Sequence, residues 1–281
     1  MNPLSSARPA RSLKAPCRAF TLIELLITLA IIATLVSMLL PSLRGVVASA
    51  RQTKCLSNQR QLALAAVLYA ADFKDLAPPA ASWRVEDVGS GPVVYWFGAD
   101  APGSGPGTLT PYFAAARAPR GALECPEQPA GSYTPQTRFL TFTTTYGYNG
   151  YFLSPAQTPG WADSISHRPW QRFASLEQPG ATFVFADSLL NASSAVATPR
   201  NSALLDPPML FSRSGWSTNP SPTTAFRHAR TQRTAVIARA DASVIAAPLT
   251  LPRRDSRGRL FATSSVSPTP DPGYVPDWRR W

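Results

Sequence analysis

Residues Phe20–Leu40 form an almost wholly apolar run that carries one charge, Glu24. As a helix at ~1.5 Å per residue the run spans roughly 31 Å, the thickness of a bilayer's hydrocarbon core. The leader before it holds Arg8, Arg11, Lys14 and Arg18 and no acid. The positive-inside rule therefore predicts a cytoplasmic N-terminus, one crossing, and a long polar remainder on the far side. The run is long for a signal peptide and no small-x-small cleavage site follows it, so it reads as an anchor that is kept. A carboxylate inside a membrane helix costs on the order of 2–3 kcal/mol. Glu24 then either has a function or lies close enough to the interface to stay hydrated.

The 281 residues divide into a leader (1–19), an assembly or membrane helix (20–41), an amphipathic continuation (42–77), a β-rich head (78–247) and a Pro-, Ser- and Arg-rich tail (248–281). With 29 Pro, 16 Gly and 15% charged residues, the head reads as loop-rich. The net charge is +11, and loss of the four leader positives leaves about +7. The basic residues are scattered, densest at Arg51–Arg60 and Arg253–Arg259, and no nucleic-acid module accompanies them, so no nucleic-acid partner is expected. Cys17 lies in the leader. Cys55 and Cys125 remain, either as a disulfide or as two buried thiols.

Past Pro41, which lacks an amide donor and should bend the helix, Cys55, Gln59, Leu62, Ala66, Tyr69 and Phe73 recur at helical spacing. That face is expected to lie on a sheet, with Pro78-Pro79 ending the helix. Strands are predicted at Val93–Phe97, Arg138–Tyr148 and Thr182–Asp187, with a hairpin or turn at Asn149-Gly150. A closing hairpin is predicted over Thr234–Ala240 and Ser243–Ala246, turning at Asp241-Ala242. Ser154–Trp170 reads as a Pro- and Trp-containing loop, Asn191–Pro222 as a long polar connection and the tail as disordered or loosely docked. The fold class expected is α+β, a long N-terminal helix packed on an antiparallel sheet.

RAFTLIELLITLAII resembles the N-terminal signature of type IV prepilins and type II secretion pseudopilins. The resemblance implies cleavage between Ala19 and Phe20 by a prepilin peptidase, N-methylation of Phe20, and an assembly role for Glu24 and Pro41. Ala19 stands where the family usually has Gly. KCLSNQRQLALAAVLYAADFKDLAP, LECP, TTYGYN and FVFADS are similar to landmarks of a pseudopilin family abundant in planctomycetes and verrucomicrobia. That family ends on Arg-His, a strand and Asp-Gly-His. Arg227, His228 and Asp241 match it, whereas Ala242 replaces the Gly and Ser243 the His.

The raw material for catalysis is thin. His167 and His228 are the two histidines, and no nucleophile elbow, phosphate loop or Cys-x-x-Cys is present. His167 reads as a surface residue and His228 as structural; no catalytic residue is expected and the chain is read as not an enzyme. Asp163, His167, Asp187, His228 and Asp241 could meet in space, but without a recognisable metal-ligand spacing. Because major pseudopilins use a calcium-stabilised loop, the resemblance makes Asp187 and Asp241 the candidates for Ca²⁺; otherwise no metal or cofactor is expected. Trp83, Trp96, Trp161, Trp170 and Trp216 read as plugs of a small core, or else as a binding surface.

The resemblance thus implies an inner-membrane, single-pass pseudopilus subunit of type II secretion, with a periplasmic head, that assembles with itself and other pseudopilins. Two alternatives stand beside it. One is a type IV pilus subunit for adhesion, motility or DNA uptake. The other is a membrane-anchored periplasmic binding module that never polymerises.

Overall fold

The computed structural model describes residues 21–82, 94–98, 106–113, 121–128, 144–190, 201–212, 214–228, 232–254 and 260–280. The leader, the Ala19–Phe20 bond and Trp83 lie outside them, as do 138–143 of the strand expected at Arg138–Tyr148. The chain forms two compact units, residues 1–46 and 47–281.

Helix α1, Leu22–Asp72, starts in the first unit and ends in the second. Its backbone remains helical through Pro41, although the missing amide leaves the Ser37 carbonyl without its usual partner. In the first unit its large apolar side chains are exposed from Leu22 to Val46, and this part is long and apolar enough to cross a membrane. In the second unit Cys55, Gln59, Leu62, Ala66 and Tyr69 are buried, the face that their spacing predicts. Phe73 is the exception: it is 49% exposed and stacks on Tyr69. Asn58, Ala63, Ala65 and Ala70 join the buried face. The small alanines let the sheet approach closely.

The helix stops before Pro78-Pro79. Lys74 and Asp75 take left-handed φ values of 55° and 64°, and Asp75 N–H bonds the Ala70 carbonyl at 2.7 Å. This is a left-handed exit that reverses the chain without help from the prolines.

The head is α+β. Two-residue strands β1 (Ala81–Ser82) and β2 (Val94–Tyr95) pair antiparallel. The central sheet has the order β3 (Tyr146–Tyr148), β4 (Phe183–Asp187), β8 (Thr234–Arg239), β9 (Val244–Pro248), every pair antiparallel. Every residue of β4 is buried, so this strand is the spine of the core. Polar bonds seat α1 on this sheet: Gln59 Nε2 donates to the Val236 carbonyl at 2.8 Å and Asn58 Nδ2 to the Tyr146 hydroxyl at 3.3 Å.

The hairpin β8–β9 turns where expected, with Ala242 at φ 62° and Ser243 N–H on Asp241 Oδ1 at 2.9 Å. Four other readings are corrected. Asn149-Gly150 opens a short helix, α2 (Gly150–Leu153), rather than a hairpin. The Asn149 amide donates to the carbonyls of Phe183 and Tyr274, which ties it into the core, and a Cβ on Gly150 would meet Ala80 Cβ and Thr158 Oγ1 at 2.6 Å. The Ser154–Trp170 loop holds a second short helix, α3 (Ala162–Ile165). The polar connection after Asn191 contains a hairpin, β5 (Met209–Ser212) and β6 (Gly215–Thr218), with Gly215 leaving the turn at φ 98°.

The tail is docked, not loose. Its β10 (Thr263–Ser264) pairs with β7 (Thr224–Ala225), and Tyr274 and Val275 are fully buried. Phe183 N–H bonds the Gly273 carbonyl at 2.7 Å and the Tyr274 ring meets Phe183 edge-on at 5.1 Å. Burial of one aromatic ring and capture of backbone groups outweigh the disorder that Pro and Ser favour. Three of the tryptophans are tied into the head. Trp96 is fully buried, and the half-buried Trp161 and Trp170 donate their indole N–H to Asp206 and the Ala77 carbonyl at 2.8 Å.

Candidate functional site

Two places in the chain gather chemistry. The first is the start of α1, where Thr21 and Glu24 close a capping box. The Thr21 N–H and hydroxyl both donate to Glu24 Oε2 at 2.9 Å, and the Glu24 N–H donates to Thr21 Oγ1 at 3.3 Å. Glu24 thus satisfies the Thr21 amide and Thr21 the Glu24 amide at the helix start, a local role that spacing alone could have shown, since Thr-x-x-Glu is the capping signature. Both bonds to its carboxylate use Oε2. Among the described residues Oε1 has no partner.

The second place is inside the head. Cys55 on the buried face of α1, Cys125 in the 121–128 loop, Asp187 at the end of β4 and His228 just before β8 converge so that one donor atom from each lies within 4.8 Å of the others. All four are at most 1% exposed. Cys55 Sγ lies 3.3 Å from Asp187 Oδ1, Cys125 Sγ lies 3.4 Å from His228 Nε2, and His228 Nε2 lies 3.1 Å from Asp187 Oδ2.

Local structure positions each member. The Cys125 amide donates to Thr145 Oγ1 at 2.6 Å. His228 exchanges backbone bonds with Thr234, at 3.1 and 2.8 Å, which lock it against the first residue of β8. Asp187 Oδ2 accepts the Val236 amide at 2.8 Å, so a side chain replaces a rung of the β4–β8 ladder. A surrounding shell follows: the Tyr146 hydroxyl donates to Cys55 Sγ at 3.4 Å, and Arg227 bonds Gln128 and the Ser188 carbonyl.

The electrostatics are those of a crowded, dry site. A hydrogen bond from Cys55 pulls the Cys125 thiol down to about 6, against burial and with help from His228. Burial drives Cys55 and Tyr146 well above their ordinary ranges. Burial works against charge on His228, yet its bonds to Asp187 and Cys125 prevail and lift it to about 10. Such a site can hold a thiolate–imidazolium pair or present two sulfurs, a nitrogen and a carboxylate to one centre.

Of the residues singled out from sequence, Cys55, Cys125, Asp187 and His228 come together. Cys55 and Cys125 stand as free thiols rather than a disulfide. Asp163 and His167 are exposed and take no part. The Asp187–Asp241 pairing for Ca²⁺ is not formed. Phe183 faces Arg239 in the β4–β8 register, so Asp241 lies at the Phe183 end of β4 and Asp187 at the other, roughly 13 Å away at ~3.3 Å per residue. Sulfur and nitrogen donors around Asp187 also suit Ca²⁺ poorly, since it takes oxygen ligands. The grouping of the two cysteines with Asp187 and His228 escaped sequence reading. The faint signal was that each sits in a separate landmark: KC, LECP, FVFAD and FRH.

The chain matches no curated protein and no solved structure. Residues 14–40 match the prokaryotic N-terminal methylation motif. That stretch holds the last leader positives, Phe20, the Thr21–Glu24 box and the exposed apolar half of α1, and such a motif implies processing by a prepilin peptidase. The N-terminal segment of the chain is thus similar to that of type IV prepilin-like proteins.

Proposed function

We propose that the chain is a pseudopilus subunit of type II secretion. It is cut between Ala19 and Phe20, methylated on Phe20, held in the inner membrane by the first half of α1 with its head in the periplasm, and built with other pseudopilins into a filament. It is a structural subunit and the substrate of an enzyme. The methylation motif at 14–40 is the observation that carries this reading.

The physical drive is the exposed apolar surface from Leu22 to Val46. Outside the bilayer that surface needs another apolar environment, and bundled helices supply it at about 25 cal/mol per Å² buried, less ordering costs. Glu24 Oε1 then accepts the cationic amine of a neighbour's Phe20, which offsets the desolvation of both groups and rewards the correct stagger. Cleavage creates that amine, so processing and assembly are linked.

The decisive measurement is the intact mass of the membrane-extracted chain. A mass fitting a start at methylated Phe20 supports the reading. A mass that retains the leader, or starts beyond Leu40, overturns it. Cysteines placed along the first half of α1 then report filament contacts: a crosslinked ladder is expected, whereas a monomer alone means that the processed chain does not polymerise.

A further inference from the structure

We propose that Cys55, Cys125, Asp187 and His228 bind one Zn²⁺ ion that staples α1 to the head.

The donor set comes first. Two sulfurs, one imidazole nitrogen and one carboxylate oxygen make a borderline-soft, four-donor set, which is what tetrahedral zinc takes. Zinc bond lengths of 2.0–2.3 Å imply donor–donor edges of roughly 3.3–3.8 Å. The edges here are 3.1 Å from His228 Nε2 to Asp187 Oδ2, 3.3 Å from Cys55 Sγ to Asp187 Oδ1 and 3.4 Å from Cys125 Sγ to His228 Nε2. No pair of donors exceeds 4.8 Å. The two Asp187 edges use different oxygens; with one of them as the ligand, the four donors outline a shell that closes on an ion by contraction of its longer edges.

The supporting contacts point the same way. Among the described residues His228 Nδ1 has no partner, so the ring is oriented by what lies at Nε2, inside the cluster. One N–H at Nε2 cannot aim at both Asp187 and Cys125, whereas one ion between them serves both. Asp187 is held by the Val236 amide and Cys55 by the Tyr146 hydroxyl, the outer bonds that steady a ligating carboxylate and a thiolate.

Binding needs both sulfurs as thiolates and His228 neutral at Nε2, so the Cys55 thiol and the imidazolium paired with the Cys125 thiolate each release one proton to solvent, and the two thiolates and one carboxylate leave a single net negative charge around Zn²⁺. Arg227, whose charge acts on Cys125, offsets it. Four protein ligands leave no open position, so the site is structural rather than catalytic. The ligands come from a helix, a loop, a strand end and a strand lead-in, so one ion ties four distant segments together.

The test uses the full chain, extracted in detergent without chelator, and does not depend on whether it polymerises. Elemental analysis is expected to give about one zinc per chain, falling to background in Cys125→Ser and Asp187→Asn. Should those variants fail to fold, the wild-type chain answers alone. Exchange into Co²⁺ is expected to give the visible bands of tetrahedral cobalt with a near-ultraviolet thiolate charge-transfer band. Chelation should lower the melting temperature, and Zn²⁺, not Ca²⁺, should restore it. Three results overturn the proposal: background zinc with Cys55 and Cys125 both titratable as thiols, a denatured unreduced mass two hydrogens light, or bound Co²⁺ without the thiolate band.

Discussion

The two halves of α1 are both rich in apolar residues, yet they solve different problems. Before Val46 the large side chains Leu, Ile, Val and Met face outward all round. After it, the buried positions are Ala63, Ala65, Ala66, Leu62, Cys55 and the polar Asn58 and Gln59. The first half is apolar because its partner is a solvent or a neighbour that has no fixed side-chain geometry. The second half is small and specific because its partner is one sheet, with bonds such as Gln59 to Val236 that fix its register. Each half also meets one acid on its own terms. Glu24 is exposed and capped by its own helix, while Cys55 reaches Asp187, which is fully buried among donors from four segments.

The sharpest way to break this contrast is to remove each acid. Asp187→Ala leaves the Val236 amide, His228 and Cys55 without their common partner in a dry core. A loss of about 3–5 kcal/mol is expected, read as collapse of the thermal transition of the detergent-extracted chain. Glu24→Ala should leave that transition where it is and instead reduce filament crosslinking, on the order of tenfold if the amine pairing is the dominant register signal. Equal effects of both substitutions on melting would erase the distinction.

Next in size is a matched pair of leucines. Leu62 is fully buried and Leu29 is 59% exposed. Leu62→Ala should cost about 3 kcal/mol of head stability, since it removes buried methyls and leaves a cavity. Leu29→Ala should fall within about 0.5 kcal/mol in the same melt. A large effect of Leu29→Ala on the melt would mean that the first half contributes to head stability after all.

A smaller effect separates one buried acid from another. Asp206 is half-buried, and burial pushes its carboxyl up to about 6 although the Trp161 indole N–H opposes the rise. The folded chain therefore holds a proton that the unfolded chain, near 3.9, has lost. This cost is absent below about pH 4, grows as pH rises to about 6, and stays above it. Head stability should fall across that window by on the order of 1–2 kcal/mol. Asp206→Asn, which can still accept the indole bond, should flatten the profile in denaturant titrations at matched ionic strength.

What was legible in the sequence follows from where each ordering force acts. The buried face from Cys55 to Tyr69 obeys helical periodicity, and the strand Phe183–Asp187 is marked by its aromatic and β-branched residues, so both could be read. The β8–β9 hairpin could too, because Asp241 marks its own turn. The β5–β6 hairpin hid in a polar stretch, since its turn depends on the left-handed Gly215 and its strands are half-buried. The tail was misread because its order comes from Tyr274 and Gly273 meeting Phe183 far back in the chain. The Cys55–Cys125–Asp187–His228 cluster has no sequence spacing at all. It exists because the sheet brings four landmarks to one point, and only the tertiary fold carries that information.

The smallest expected effect lies beside the second half of α1, where the β8–β9 turn faces Thr53, Ser57 and Arg60 across a groove. Ala242 sits there at φ 62°, in the left-handed region. A Cβ in that region costs about 1–2 kcal/mol, partly offset because Ala restricts the unfolded chain more than Gly by about 0.4–1 kcal/mol. Ala242→Gly should therefore stabilise the head by about 0.5–1 kcal/mol, a rise of a few degrees in melting temperature at most. The substitution leaves the fully buried positions of the helix in place, so it should leave filament crosslinking and zinc content unchanged. Destabilisation instead would mean that the Ala242 methyl packs against α1 tightly enough to outweigh its backbone strain, and that this half of the helix is held at the turn as well as on the sheet.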